Sequence, residues 1–284
     1  MKPSKGPMAV STRVTLLGAA LRAARERASW GLNELARRIG VRPARLSSWE
    51  LGLRAAPVID VAYILGTLGV EGADKRRILA LARMTASEVV ILGQHHDYDR
   101  YAMLADCGTT ATSVADWHPL FIPDLLQHGD YAREALIAAG RSEAEVHFVG
   151  ELGAEHRELI QSKPLTAYVG EVAFAHMTGS FETVSRQFGF LANLAAPIST
   201  VTVRIVPAGT GRHPGLMGAF TLYRTNSGPV VHLPSHGAAV FMPDDGNYSD
   251  VLEELDNVAL SNMDSRVLMG KYAAKHRTSL RRSA

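Results

Sequence analysis

Leu35-Ala36-Arg37-Arg38-Ile39-Gly40-Val41-Arg42-Pro43-Ala44-Arg45-Leu46-Ser47-Ser48-Trp49-Glu50-Leu51-Gly52 is the stretch on which the reading of this chain turns. Leu32, Leu35, Ala36 and Ile39 recur at helical spacing and stop at Gly40, which has no β-carbon to oppose the left-handed turn that ends a helix. Pro43 suits the first turn of the next helix, where a missing N–H costs nothing. That helix buries Leu46 and Trp49 before Gly52 stops it. Outward from here, Leu17, Ala20, Leu21, Ala24 and Ala28 predict a helix from about Thr15 to Arg27, broken by Gly31. Two more helices are predicted at about 58–68 and 72–84.

Five short helices with a tight Gly40-Val41-Arg42 turn between the second and third define a helix-turn-helix arrangement. Leu35-Ala36, Gly40, and the run Leu46 to Glu50 resemble the lambda-repressor-like (XRE) DNA-binding family over about residues 15–84. The geometry of such domains sends the third helix into the major groove by its N-terminal end. Arg42, Pro43, Ala44, Arg45, Ser47 and Ser48 are then the base-facing candidates. Arg42 or Arg45 would bond guanine bidentately and Ala44 would meet a thymine methyl, with the choice between the two arginines open. Arg13, Arg37, Arg38 and Arg54 are expected on phosphates. The resemblance also implies a structural ion pair between Arg25 and Glu50, and a homodimer reading two half-sites. Where relatives place a phosphate-binding glutamine at the start of the second helix, this chain has Leu32 after Gly31, so more is left to the arginines.

Charge supports the division. The net charge of +2 conceals 15 Lys and Arg against 6 Asp and Glu in residues 1–84, or +9, and 15 against 22 in residues 85–284, or −7. A basic module joined to an acidic remainder is what a nucleic-acid-binding domain on a non-binding partner domain would carry. The chain is 284 residues long and 46% hydrophobic, enough for two cored domains. No apolar run reaches the roughly 18 residues of a membrane helix. The first dozen residues carry Lys2, Lys5 and two prolines without the apolar run of a secretory signal. The lone Cys107 fits a reducing compartment, so a cytoplasmic location is expected.

After Met84, residues 88–107 and 130–161 read as helices, with Ile122-Pro123 and Gly129 as interruptions. β-Branched runs predict strands at 165–170, 201–207, 219–224, 230–234 and 238–242. A helix is expected over 187–195, and one or two close the domain over 251–276. The expected architecture is therefore multidomain: an all-α helix-turn-helix domain of five helices followed by an α+β domain with a mostly antiparallel sheet. The expected boundaries are a disordered N-terminus at 1–12, the DNA-binding domain at 13–84, an effector- or partner-binding domain at 85–276, and a flexible tail at 277–284.

Ile122-Pro123-Asp124-Leu125-Leu126-Gln127, Asp130-Tyr131-Ala132-Arg133, Val201 to Pro207 and Gly218 to Leu222 resemble the C-terminal domain of actinobacterial WhiJ-type regulators, described as antitoxin-like. That resemblance covers about 100–275. It implies that the second domain senses a small molecule or binds a small partner protein, or, alternatively, that the chain is chiefly an antitoxin-like interaction module. It departs from the usual pattern at Asp124, across 151–160, at Phe174 and over 231–233.

Catalytic and metal chemistry find little support. His95-His96-Asp97 with Asp99, and His232 with His236, are the nearest approach to a metal site, but adjacent His95 and His96 point to different sides of a helix, and the i, i+4 pair His232 and His236 falls on a strand end and turn, so its imidazoles share no helix face. Ser235-His236 and Cys107 lack the context of an activated nucleophile. Gly209 to Gly215 is glycine-rich but lacks the Lys-Ser/Thr ending of a phosphate loop and reads as a strand connection. Glu171, after the first long strand, is either a pocket carboxylate or a helix-capping acid. No cofactor, metal or enzymatic activity is expected, and double-stranded DNA is the expected partner.

Overall fold

The computed structural model describes residues 12–83, 89–92, 97–196, 199–235 and 238–280, with side chains as far as His276. Most of the expected disordered N-terminus and the last four residues of the expected tail lie outside these. The five N-terminal helices are α1 (Thr12–Arg27), α2 (Leu32–Arg38), α3 (Pro43–Glu50), α4 (Val58–Thr67) and α5 (Gly72–Arg83). Then follow β1 (Val90–Leu92), α6 (Asp97–Thr110), β2 (Ala111–His118), a 3₁₀ turn (Asp124–Leu126), α7 (Gly129–Ala138) and α8 (Glu143–Gln161). Next come β3 (Leu165–Gly170), α9 (Val172–Ala175), α10 (Phe181–Leu194), β4 (Val201–Val206), a second 3₁₀ turn (Pro214–Met217) and β5 (Phe220–Thr225). The chain closes with β6 (Val230–Ser235), β7 (Ala238–Pro243), α11 (Asn247–Val258) and α12 (Asn262–Leu280).

A helical region followed by an α/β region with a mixed seven-stranded sheet is the multidomain arrangement expected. The strand order is β1-β7-β6-β5-β2-β3-β4. β1 and β6 flank β7 antiparallel, whereas β3 runs parallel to both β2 and β4. Parallel neighbours need long crossovers, and α7–α8 and α9–α10 supply them. Two expectations change. Residues 90–92, read as helix, form a strand in register with β7, Val90 opposite Phe241, and the helix begins only at Asp97. Three consecutive apolar residues suit either state, and pairing with β7 decides. β2 was not expected at all. The expected flexible tail also changes, because α12 continues to Leu280.

The chain divides into two compact units that do not follow chain order: residues 1–111 with 223–244, and residues 112–222 with 245–284. In the first, α1 packs against α3, α4, α5, α6 and β7. Thr12 to Leu21 are consequently all buried, where amphipathic spacing predicts a single buried face. Thr15 Oγ1 lies 3.3 Å from Ser227 Oγ in the β5–β6 turn. α6 and the β6–β7 hairpin thus complete the core around the helix-turn-helix helices.

In the second unit, β4 is an edge strand whose outer backbone is occupied. The Leu260 amide donates to Ile205 O (2.8 Å), and the Ile205 amide donates to Ser265 Oγ (2.9 Å). The stretch leading into α12 therefore covers an edge that would otherwise invite pairing. Arg204, pointing outward from β4, donates to the carbonyls of Asp256, Ala259 and Leu260 at the end of α11 and pairs with the Asp256 carboxylate. A cation there satisfies orphan carbonyls and complements the helix dipole. The Ile122 to Gln127 motif is pinned by three amides: Gln187 Nε2 donates to Leu126 O (2.6 Å), Gln161 Nε2 to Leu125 O (2.6 Å), and Gln127 Nε2 to Ile122 O (2.8 Å).

Candidate nucleic-acid interface

α3 is seated by backbone contact. A β-carbon at Gly18 of α1 would fall 2.4 Å from Trp49 O and 2.7 Å from the Gly52 amide. One at Gly52, with φ of 67°, would fall 2.7 Å from Thr15 Cα. No other residue type allows this approach without moving a backbone. Gly40, with φ of 73°, makes the turn between α2 and α3. Leu46 and Trp49 face the core, and Glu50 is buried.

The Glu50 carboxylate accepts from Arg25 Nε and Nη2, both at 2.7 Å, while Arg25 Nη1 donates to Trp30 O at 3.0 Å. This fork joins α1 to α3 and raises the Arg25 pKa further, chiefly through the hydrogen bonds to Glu50. With its carboxylate so engaged, Glu50 presents nothing to DNA.

The opposite face of α3 is open. Arg42, Pro43, Ala44 and Arg45 are exposed, and Ser47 and Ser48 are half-buried. No side chain caps the helix start at Arg42, Pro43 at its first position has no N–H, and the Arg45 amide donates to Arg42 O at 2.9 Å, which leaves the Ala44 amide as the open donor of the first turn. Ser48 Oγ donates to Arg45 O at 2.7 Å, which commits its proton to the helix. The two arginines that the sequence leaves equivalent differ here. The Arg45 guanidinium stands 4.9 Å from the Trp49 ring centre and 3.8 Å from Asp60 Oδ2. Arg42 makes no ion pair among the described residues, nor do the exposed Arg37, Arg38 and Arg54. At the start of α2, Glu34 Oε2 accepts from the Gly31 amide at 3.4 Å and sets a negative charge beside the helix start.

Arg13 is corrected. Expected on a phosphate, it is buried, and its Nη1 donates to Leu81 O (3.1 Å) and Ala82 O (3.3 Å), the last carbonyls of α5. The first turn of α1 is packed against the end of α5, which turns this cation inward. Arg77 of α5 was not singled out and is also internal: it bonds Asp106 of α6 at 2.6 Å and Asp74 at 3.2 Å. Burial pushes the Asp106 carboxyl up to about 6 despite Arg77. A lone arginine in a helix gives no sign of a partner 29 residues away.

The remaining candidates are placed as follows. His95, His96 and His236 lie outside the described residues. His232 is buried against Phe241, with ring centres 4.9 Å apart. Among the described residues no group of three His, Cys, Asp or Glu is placed to hold a metal ion. Burial pushes the Cys107 thiol well up, which suppresses thiolate. Glu171 stands at the N-cap position of α9 without a side-chain bond to that helix; its carboxylate accepts from the Ala208 amide (2.9 Å) and Tyr272 hydroxyl (2.8 Å), clamping the loop after β4 to α12. The Gly209 to Gly215 loop is closed rather than cupped, with Thr210 bonded back to Pro207 O (2.7 Å) and Gly215 O receiving Trp117 Nε1 (2.7 Å). Among the described residues no helix is long and apolar enough to cross a membrane.

Comparison with known proteins gives two family matches. No curated protein and no solved structure matches it. Residues 16–78 match a family model described as Helix-turn-helix domain, the kind of domain found in DNA-binding regulators. Residues 101–271, more than half the chain, match the model described as Domain of unknown function (DUF5753), and the chain therefore belongs to that family.

Proposed function

We propose that this protein is a sequence-specific, XRE-type transcriptional regulator that binds double-stranded DNA as a homodimer in the cytoplasm and is not itself an enzyme. The observation that supports it best is the exposed start of α3, where Arg42 and Arg45 flank the open Ala44 amide, and where Arg37, Arg38 and Arg54 make no ion pair among the described residues. A helix N-terminus and unpaired guanidinium groups attract phosphate, and arginine near a groove reads guanine. Arg42 is the base reader in this proposal, and Arg45, steadied by Trp49 and Asp60, sets the register.

Titrating the DNA upstream of the protein's own gene, at fixed salt, tests the reading. Arg42→Ala weakens a specific site by about 1–3 kcal/mol and flattens the preference over scrambled DNA. Arg45→Ala weakens both DNAs alike. Equal binding by the wild type and both variants overturns it. For the homodimer, Ile59 (79% exposed) and Tyr63 (57%) lie one turn apart on α4, an apolar face for a second copy. Ile59→Glu is expected to yield monomers in analytical ultracentrifugation.

A second reading, in which the C-terminal domain is an antitoxin-like module for a small partner protein, is favoured by a separate patch. Phe121 (71% exposed) and Met217 (91%) flank exposed Leu120 and Leu216, on segments joined by the Trp117–Gly215 bond. Large apolar side chains gathered in this way suit a protein surface. Phe121→Asp would abolish binding of a small protein encoded beside this gene; unchanged binding sinks the reading.

A further inference from the structure

Between α10 and α12, within the second compact unit, lies a half-open cavity of about 500 Å³. Ser185, Gly189 and Ala192 line it from α10 at helical spacing, and Met263, Val267 and Gly270 from α12. Phe188 and Met269 form its buried floor. A β-carbon at Gly189 or Gly270 would meet nothing within 4 Å, and neither has positive φ, so neither backbone nor packing requires glycine there. Glycine inside a helix is unfavourable, and here both glycines leave the same space empty.

Two polar residues, Ser185 and Arg266, interrupt an otherwise apolar lining. The Ser185 hydroxyl is shut off from solvent with no hydrogen-bond partner. Arg266 lines the mouth without an ion pair among the described residues, and no acidic side chain lines the cavity. A mostly apolar space of this size with a few convergent polar groups has the form of a small-molecule site.

We propose that this cavity binds a small hydrophobic acid, its aliphatic or aromatic body lying over Gly189 and Gly270 and its anionic group at Arg266, and that this ligand is the regulator's effector. Only the word effector rests on the DNA-binding reading; the binding itself does not. A carboxylate at the mouth gains a charge-assisted hydrogen bond from the Arg266 guanidinium, while its apolar body covers the exposed Met263 and Val267 side chains.

Full-length protein is titrated with 1-anilinonaphthalene-8-sulfonate, an aromatic anion that fluoresces when shielded from water, and the probe is displaced with decanoate or decanol. The wild type is expected to bind the probe and to release it to decanoate at about tenfold lower concentration than to decanol, the advantage of a charge-assisted contact. Arg266→Gln erases that difference. Gly189→Leu and Gly270→Leu fill the space and lose the probe, with circular dichroism and melting temperature retained. Probe binding by the filled variants at wild-type strength overturns the site, as does equal displacement by acid and alcohol. Dissociation of a wild-type dimer by the filled variants, with probe binding intact, overturns it in favour of a second copy in the groove. DNA affinity that decanoate does not change overturns the effector role alone, whereas absence of DNA binding both with and without decanoate overturns the regulator reading and leaves the site standing.

Discussion

The helix-turn-helix region carries two sets of arginines, of which the sequence tells only Arg25 apart. Arg13, Arg25 and Arg77 are turned inward, each on a named acceptor: the end of α5, Glu50, and Asp106 with Asp74. Arg37, Arg38, Arg42 and Arg54 are turned outward and make no ion pair among the described residues. A net count of +9 over residues 1–84 therefore overstates the charge offered to DNA, because three of its cations are turned into the fold, Arg13 and Arg25 from α1 and Arg77 from α5. Loss of an inward arginine should appear as lost stability, little affected by salt. Loss of an outward one should appear as lost affinity, strongly affected by salt.

The largest effect is expected at Arg77. Arg77→Met leaves the Asp106 carboxylate buried without its cation, at a cost of about 3–5 kcal/mol near pH 7.5. Burial already raises Asp106 to about 6, so an unfolded chain releases this proton at lower pH than the folded one. For a carboxyl raised in this way, folded stability falls as pH rises from about 4 to about 6 and is level above. Without Arg77 the carboxyl rises further, so lowering the pH to 5 should recover much of the loss. Denaturant unfolding of variant and wild type at pH 5 and 7.5 measures this; a deficit that does not shrink in acid means that Asp106 is not the stranded group.

Next is Gly18→Ala. The new methyl meets the Trp49 carbonyl and the Gly52 amide, backbone atoms that no rotamer change relieves. A cost of about 1–3 kcal/mol follows from overpacking. Because α3 is displaced along with its arginines, the specific DNA site should weaken too, although residue 18 touches no DNA in the proposed complex. A variant that melts like wild type would show that α1 and α3 approach less closely than described.

The pattern of what the sequence disclosed follows from where its signals are local. All five N-terminal helices were legible because apolar spacing, Gly40, Pro43 and Gly52 act within a few residues of what they determine. β3, β4 and β6 were legible as β-branched runs. β2 was not, because Ala111-Thr112-Ser113-Val114-Ala115-Asp116 is small and polar, with Asp116 buried against the Thr221 hydroxyl at 2.7 Å. A buried aspartate looks like a surface residue until its donor, over 100 residues later, is in place. Arg13 was misplaced for a related reason: whether an arginine faces water depends on what covers it, and α5 supplies that cover. The α10–α12 cavity had no sequence signature, since glycines in helices mark a space only once the facing helix is known.

The smallest effect, and the sharpest division between the two sets, lies in salt dependence. A phosphate contact releases condensed counterions, so its loss reduces the slope of log affinity against log salt by about 0.9. Arg37→Gln, Arg38→Gln and Arg54→Gln should each lower that slope by this amount, on specific and scrambled DNA alike, with melting temperature unchanged. Arg13→Gln should leave the slope as it is and lower the melting temperature, because its guanidinium holds Leu81 and Ala82 rather than phosphate. Fluorescence anisotropy at four or five salt concentrations separates the outcomes. A reduced slope for Arg13→Gln would mean that the first turn of α1 swings out to meet the duplex, and the inward set would then lose its first member.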